Sequence, residues 1–213
     1  MATRAGTWEH VPLRRVPAQA RSRDKVARAL SAADRIVREE GVDSVNLPHV
    51  AELAGVSVGA LYQYLPDREA ILAALVWRYH ARLEALLDEA IATARQHPPQ
   101  GDPIDYMIDS VVQIYLEEES VRAMRGSADT PALTQVRRAH KERMAGKLAD
   151  LLQAVGVSTT HENGSPEAIV AFIAADAVLH EAFARAAADR AALIEELRHL
   201  MRRYLAPPAG TLS

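Results

Sequence analysis

The sequence predicts an all-α protein, and three observations carry that expectation. Apolar residues recur at three- and four-residue spacing along nearly the whole chain. Sustained apolar/polar alternation, the mark of a half-buried strand, is missing. The periodic stretches are separated by Gly, Pro and Ser clusters, at 96–103 (QHPPQGDP), 126–131 (GSADTP) and 156–166 (GVSTTHENGSP). Apolar residues make up 49% of the 213 and charged ones 25%, a globular balance that excludes a fully disordered chain. Cysteine is absent, which removes disulfides, thiolate metal sites and cysteine nucleophiles together.

The elements follow in order. Residues 1–21 contain Pro12 and Pro17 and few large apolar side chains, so a flexible arm is expected there. A first helix is expected over 22–40, with Val26, Leu30, Ala33 and Val37 as its buried stripe and Gly41 as its stop. A short pair follows at 47–54 and 57–64. The next helix, over 67–95, carries Ile71, Leu75, Tyr79, Leu83, Leu86 or Leu87, and Ile91, and its length of ~43 Å suffices to join two bodies.

Four or five helices are expected in the back half, four of them with clear stripes. The first, over 103–118, carries Ile104, Ile108, Val111 and Tyr115. The second, over 133–155, carries Leu133, Val136, His140, Met144, Leu148, Leu151 and Val155. The third, over 165–187, opens on Ser165 as cap and Pro166 at the first helical position. The last, over 189–205, opens on Asp189 and carries Leu193, Leu197, Leu200 and Tyr204, flanked by Ile194, Met201 and Leu205.

Uncharged apolar runs reach only eight residues, as over 168–175, against the ~20 that a spanning helix requires. The N-terminus has arginines without an apolar signal-like stretch. A cytoplasmic protein with no membrane partner is the expectation. The net charge of −3 hides an asymmetry: residues 1–30 carry +5, residues 1–68 carry +2 and residues 69–213 carry −5. A basic arm on an acidic body is compatible with a polyanionic partner, because binding follows the local field.

The segment 46–68 carries the sharpest signal. Asn46 suits a helix cap, Ala51 is small where two helices cross, and Gly55 suits the left-handed residue of a tight interhelical turn. Val56 fills the space beneath the turn, Ser57 caps the second helix, and Leu61 locks it to the bundle. That spacing is the geometry of a helix-turn-helix unit, whose second helix enters the major groove. An ordinary helical hairpin satisfies the same three positions. The surroundings favour the first reading, since Ser57, Gly59, Gln63 and Asp67 keep one face free of apolar residues. Tyr62, Tyr64 and Arg68 suit phosphate oxygens, and Gln63 suits a base edge.

Here the chain resembles the TetR/AcrR transcriptional regulators. The resemblance rests on Glu39-Glu40-Gly41, Asn46, Val50-Ala51, Ala54-Gly55-Val56-Ser57, Gly59-Ala60-Leu61-Tyr62-Gln63-Tyr64-Leu65 and Asp67-Arg68-Glu69, and covers roughly residues 24–75. Asn46 and Ala60 stand where the family usually has Thr, Leu65 where it has Phe, and Arg68 where it has Lys. Val58 occupies an often polar position.

The resemblance implies a helix-turn-helix DNA-binding domain over 22–66, a helical ligand-binding and dimerisation domain over 67–206, and a tail over 207–213. It implies a homodimer, joined through its last two helices, that reads a palindromic double-stranded operator with half-sites about one turn apart. A repressor released by a small, mainly apolar effector is the expected activity, with no cofactor. The DNA-facing residues expected are Asn46, His49, Ser57, Val58, Gly59, Ala60, Tyr62, Gln63, Tyr64 and Arg68, with Arg21 and Arg23 reaching the backbone or minor groove.

Tyr79, Leu83, Met107, Val111, Tyr115, Met124 and Phe172 are expected to line the effector pocket, simple core packing being the other reading of each. His140, Asp176 and His180 are polar residues on apolar faces, suited to a satisfied helix or dimer seam or to a ligand's polar group. Glu117, Glu118 and Glu119 read as a solvated face. Two other classes stand beside the regulator: a helical interaction module with a degenerate DNA-reading head, and an all-α enzyme. None of the eight histidines forms a His-Glu-x-x-His pair and no Gly-rich phosphate loop appears, so no catalytic or metal residue is expected. His80, His140 and His180 are the remaining candidates for a converging metal set.

Overall fold

A computed structural model describes residues 11–117, 130–156 and 166–205. Eight α-helices lie within them: α1 Ala20–Glu40, α2 Leu47–Ala54, α3 Val58–Tyr62, α4 Arg68–Gln96, α5 Pro103–Glu117, α6 Pro131–Ala154, α7 Pro166–Phe183 and α8 Ala187–Leu205. A single 3-10 turn, Val42–Ser44, joins α1 to α2. No strand occurs among the described residues. No described helix is long and apolar enough to cross a membrane.

The chain divides into two compact units. Among the described residues, the first comprises 11–81 and 130–138, and the second comprises 82–117, 139–156 and 166–205. The first unit has its own core of α1, α2, α3 and the first half of α4, with Ile36, Leu61, Leu65, Ile71, Leu72 and Leu75 essentially sealed from solvent. Its margin is therefore not at residue 66. Ile71, Leu75 and Tyr79 of α4, together with Leu133 at the start of α6, belong to the same core. The second unit packs Leu83, Leu87 and Ile91 of α4 with Met107 and Ile108 of α5, Leu148 and Leu151 of α6, and the inner faces of α7 and α8.

Several boundaries depart from expectation. Helix α1 begins at Ala20 because the Ser22 hydroxyl folds back, donating to Gln19 O at 2.7 Å and accepting the Gln19 N–H at 3.3 Å. The segment expected as a free arm is in part seated: Val11 is buried in the first core, with Leu13 packed on it. Helix α3 ends at Tyr62, and Gln63 and Tyr64 form a turn in which the Tyr64 N–H bonds to Leu61 O at 2.9 Å. Pro66 disfavours helix at the residue before it and so stops continuation.

Helix α7 stops at Phe183, and α8 starts two residues before Asp189, which falls in its first turn rather than at its cap. The expected stripe of α8 is split: Leu197 and Met201 are buried, whereas Leu200 and Tyr204 stay 45% and 40% exposed. Residues 1–10, Glu118, Glu119, Met124, Ser165 and the tail over 207–213 lie outside the described residues.

Candidate nucleic-acid interface and buried polar sites

The reading head is built locally by caps and one glycine. Asn46 Oδ1 accepts the His49 backbone N–H at 2.9 Å, which starts α2, and its Nδ2 donates to Ser44 O at 3.2 Å. Gly55 adopts φ 63°, ψ 41°, the left-handed conformation that costs a side-chain-bearing residue most, and its N–H reaches the carbonyls of Ala51 and Glu52. Val56 N–H bonds to Ala51 O at 3.0 Å. Arg28 of α1, held by Asp24 at 3.1 Å, donates from Nη1 to Ala54 O at 3.0 Å and closes the end of α2. Ser57 Oγ accepts the Ala60 N–H at 3.3 Å and caps α3.

This anchoring decides what α3 presents. Leu61 and Leu65 point into the core at 2% and 0% exposure. Ser57, Val58, Gly59, Tyr62 and Gln63 remain exposed, while Ala60 and Tyr64 are half-buried. One short element thus offers a hydroxyl, an aliphatic side chain, a bare backbone, a phenol and a carboxamide to solvent on a rigid base. Donors, acceptors and a methyl-sized contact of this kind suit base edges and phosphates.

The neighbouring residues divide differently. Asn46 spends its Oδ1 on the α2 cap and its Nδ2 on Ser44 O. His49 is half-buried with Nε2 3.5 Å from Glu40. Arg68 spends Nη2 on Val42 O at 3.0 Å and on Asp43 at 3.3 Å, bracing the 3-10 turn. Arg21 is exposed, whereas Arg23 is half-buried and donates from Nε to Pro17 O at 3.1 Å.

Residues 55–59 also spell Gly-x-Ser-x-Gly, the spacing of a hydrolase nucleophile elbow. Such an elbow follows a strand and leaves its serine oxygen aimed at substrate. Here the segment follows helix α2, and Ser57 Oγ is used as a cap. Among the described residues no group of three or more His, Asp or Glu side chains is placed to hold a metal.

The residues expected to meet an effector are only partly brought together. Leu83, Met107 and Phe172 are buried in the second core, with Val111 and Tyr115 packed against it. Tyr79 is not among them. It lies in the first unit, where its hydroxyl donates to Asp34, a carboxylate also bound by Arg38 at 2.9 Å. In the second unit the Tyr115 hydroxyl donates to Asp176 Oδ1 at 2.6 Å, with its ring 5.5 Å from that of Phe183.

His140 is buried, its ring edge-on to Phe172 at 6.3 Å and its Nδ1 2.9 Å from Glu84 Oε1, while Arg143 Nε donates to Glu84 Oε2 at 2.8 Å. Burial alone would raise the Glu84 carboxyl, but the bonds from His140 and Arg143 and the Arg143 charge outweigh it and hold the group below its ordinary range. Glu84 is therefore ionised near neutral pH, so the His140 Nδ1–H is the donor. Below it, Lys147 pairs with Asp88. At the other end of the unit, Arg198 and Arg202 of α8 tie to Asp102, Asp105 and Asp109 around the start of α5. The bond from Arg202 holds the Asp102 carboxyl below its usual range.

Sequence reasoning missed Glu84, which partners His140, and Arg14, whose guanidinium lies over the Tyr62 ring with its carbon 5.5 Å from the centroid. Spacing on α4 offered no signal for Glu84, since its neighbours Leu83 and Leu87 already satisfied the apolar stripe.

Two family models match in tandem. "Bacterial regulatory proteins, tetR family" covers residues 29–75, and "Tetracyclin repressor-like, C-terminal domain" covers residues 101–205. The chain belongs to the TetR family. The regulator CymR of Pseudomonas putida is 28% identical over 109 residues, 51% of each chain, so this chain spans about half the length of that curated relative. A TetR-family regulator structure from Streptomyces coelicolor matches 85% of this chain and 97% of its own at 24% identity, with a TM-score of 0.59. RolR in complex with resorcinol matches 91% of this chain and 98% of its own at 18% identity, also with a TM-score of 0.59. At these identities the structural likeness speaks to fold.

Proposed function

We propose that this TetR-family chain is a sequence-specific DNA-binding repressor that works as a homodimer and leaves a palindromic operator when a small, mainly apolar ligand binds its second unit. The exposed face of α3 carries this reading. Leu61 and Leu65 hold the helix from beneath, so Val58, Gly59, Tyr62 and Gln63 are free to meet a duplex. Gln63 and Val58 would read base edges, while Tyr62, Tyr64 and Arg68 would meet phosphates.

Pairing through α7 and α8 is supported by Val170, Ile173, Leu200 and Tyr204, which stay 40–48% exposed although all four are large and apolar. A second copy would cover them and bring two α3 helices to one palindrome. Effector binding among Leu83, Met107, Val111, Tyr115 and Phe172 would act by population shift, favouring the DNA-incompetent state through its higher affinity for it. A ligand's polar atoms would meet the Glu84–His140 and Tyr115–Asp176 pairs by exchanging with the bonds these groups already make.

The test is selection of bound duplexes from a random pool at low salt. The proposal expects a palindromic motif with half-sites about one helical turn apart. Gln63→Ala should change that motif, and Tyr64→Phe should weaken binding to every sequence alike. Absence of any enriched motif, or a Gln63→Ala motif identical to the wild type, overturns the assignment. A reporter with the selected site across its promoter distinguishes repression from activation.

A further inference from the structure

Building on the DNA-binding reading, we infer that Arg14 is a further phosphate-contacting residue, and that it positions the Tyr62 ring on which it lies. Val11 is buried in the first core, and Leu13 packs on it with its N–H bonded to Val11 O at 2.7 Å. The Arg14 N–H donates to Tyr64 O at 3.0 Å, and Pro17 O accepts from Arg23 at 3.1 Å. The segment is held at its beginning, its middle and its end.

The Arg14 side chain is left exposed on that held backbone. Its guanidinium carbon sits 5.5 Å from the centroid of Tyr62, within cation–π range, and Tyr62 is itself 49% exposed. Cation–π attraction uses the charge and not the N–H donors, which an exposed guanidinium keeps for a phosphate. Charge makes the same case. Arg28, Arg38 and Arg68 of this unit pair with Asp24, Asp34 and Asp43. Among the described residues no carboxylate pairs with Arg14. It is a cation held by its backbone beside the residues proposed to read DNA, and the ring contact already restricts its side chain, so binding a phosphate costs little further side-chain entropy.

The experiment measures anisotropy of a labelled mixed-sequence duplex of about 30 bp, long enough for two half-sites, against full-length protein as KCl rises from about 50 to 200 mM. Arg14→Ala should lower the log–log salt slope by about 0.9 per lost phosphate contact, or about two for a dimer, with unchanged melting. Arg14→Lys should restore the slope. In a Tyr62→Leu background the Arg14→Ala loss should shrink by about 2- to 5-fold, the share that depends on the ring. An Arg14→Ala slope equal to the wild type, or a lowered melting temperature with the slope intact, overturns the phosphate contact. Strictly additive losses overturn the positioning role. A wild-type protein that binds no duplex at low salt overturns the repressor reading and this inference with it.

Discussion

Replacing Glu84 with Gln keeps the stem and the shape, removes the charge, and turns one of the two acceptor oxygens into an NH2 donor, so only one of the two bonds to the carboxylate can persist. The carboxylate accepts from His140 at 2.9 Å and from Arg143 at 2.8 Å, with side-chain exposures of 14% for Glu84, 9% for His140 and 43% for Arg143. A hydrogen bond to a charged group contributes about 1.5–3 kcal/mol and a neutral one about 0.5–1.5. With the carboxamide oxygen facing His140, that bond, away from water, should lose about 1–1.5 kcal/mol, and loss of the solvent-screened Arg143 bond, left facing the amide NH2, should cost a few tenths more. The variant should melt about 3–8 °C lower at pH 7 for a chain of this size.

The pH dependence has a definite sign. The folded-state pKa of Glu84 lies below the ordinary value of 4.5, so its stabilisation is complete above that value and is lost as pH falls through the folded pKa. Thermal unfolding followed by circular dichroism should show the gap between wild type and Glu84→Gln at pH 7 and its closure at a pH below the folded pKa of Glu84, where both side chains are neutral. A gap of equal size at both pH values, or none at pH 7, would refute the charge-based account of the α4–α6 junction.

Three further outcomes are expected. Leu61→Ala removes a side chain that is 2% exposed beneath α3 and should cost about 2–5 kcal/mol in urea unfolding of the reading head. Gly55→Ala should cost about 1–2 kcal/mol through its left-handed backbone rather than through a clash, because the added carbon would meet Arg28 Nη1 at an ordinary 3.6 Å. Gly55→Asn should cost less, which urea titration checks. Ile173→Glu, placed on the exposed face of α7, should convert a sedimenting dimer to monomer without lowering helix content; an unchanged sedimentation coefficient would locate the pairing surface elsewhere.

The reading head was legible because its constraints are local. A cap at Asn46, a left-handed Gly55 and a cap at Ser57 each act over fewer than five residues, and each appears as expected, as does the buried Leu61. The bounds of α2 were legible for the same reason. Those of α3 were not, because its end depends on how Leu65 and Pro66 return the chain to the core. Along α4, Tyr79 and Leu83 lie on one stripe, yet they enter the cores of different units. Periodicity specifies which face is buried but not which neighbour covers it.

Helix content, the turn between α2 and α3 and the polarity of its outer surface are written in the order of residues, since backbone capping and 3.6-residue spacing act on near neighbours. The partners of His140 and Asp176, the occupation of Arg68 by the 3-10 turn and the docking of Arg14 on Tyr62 are not. Each joins residues from separate segments, with 56 positions between His140 and Glu84 and 61 between Tyr115 and Asp176. Such contacts exist only once long-range packing has brought two helix faces or a terminal strand of chain together, and a linear pattern carries no record of that choice.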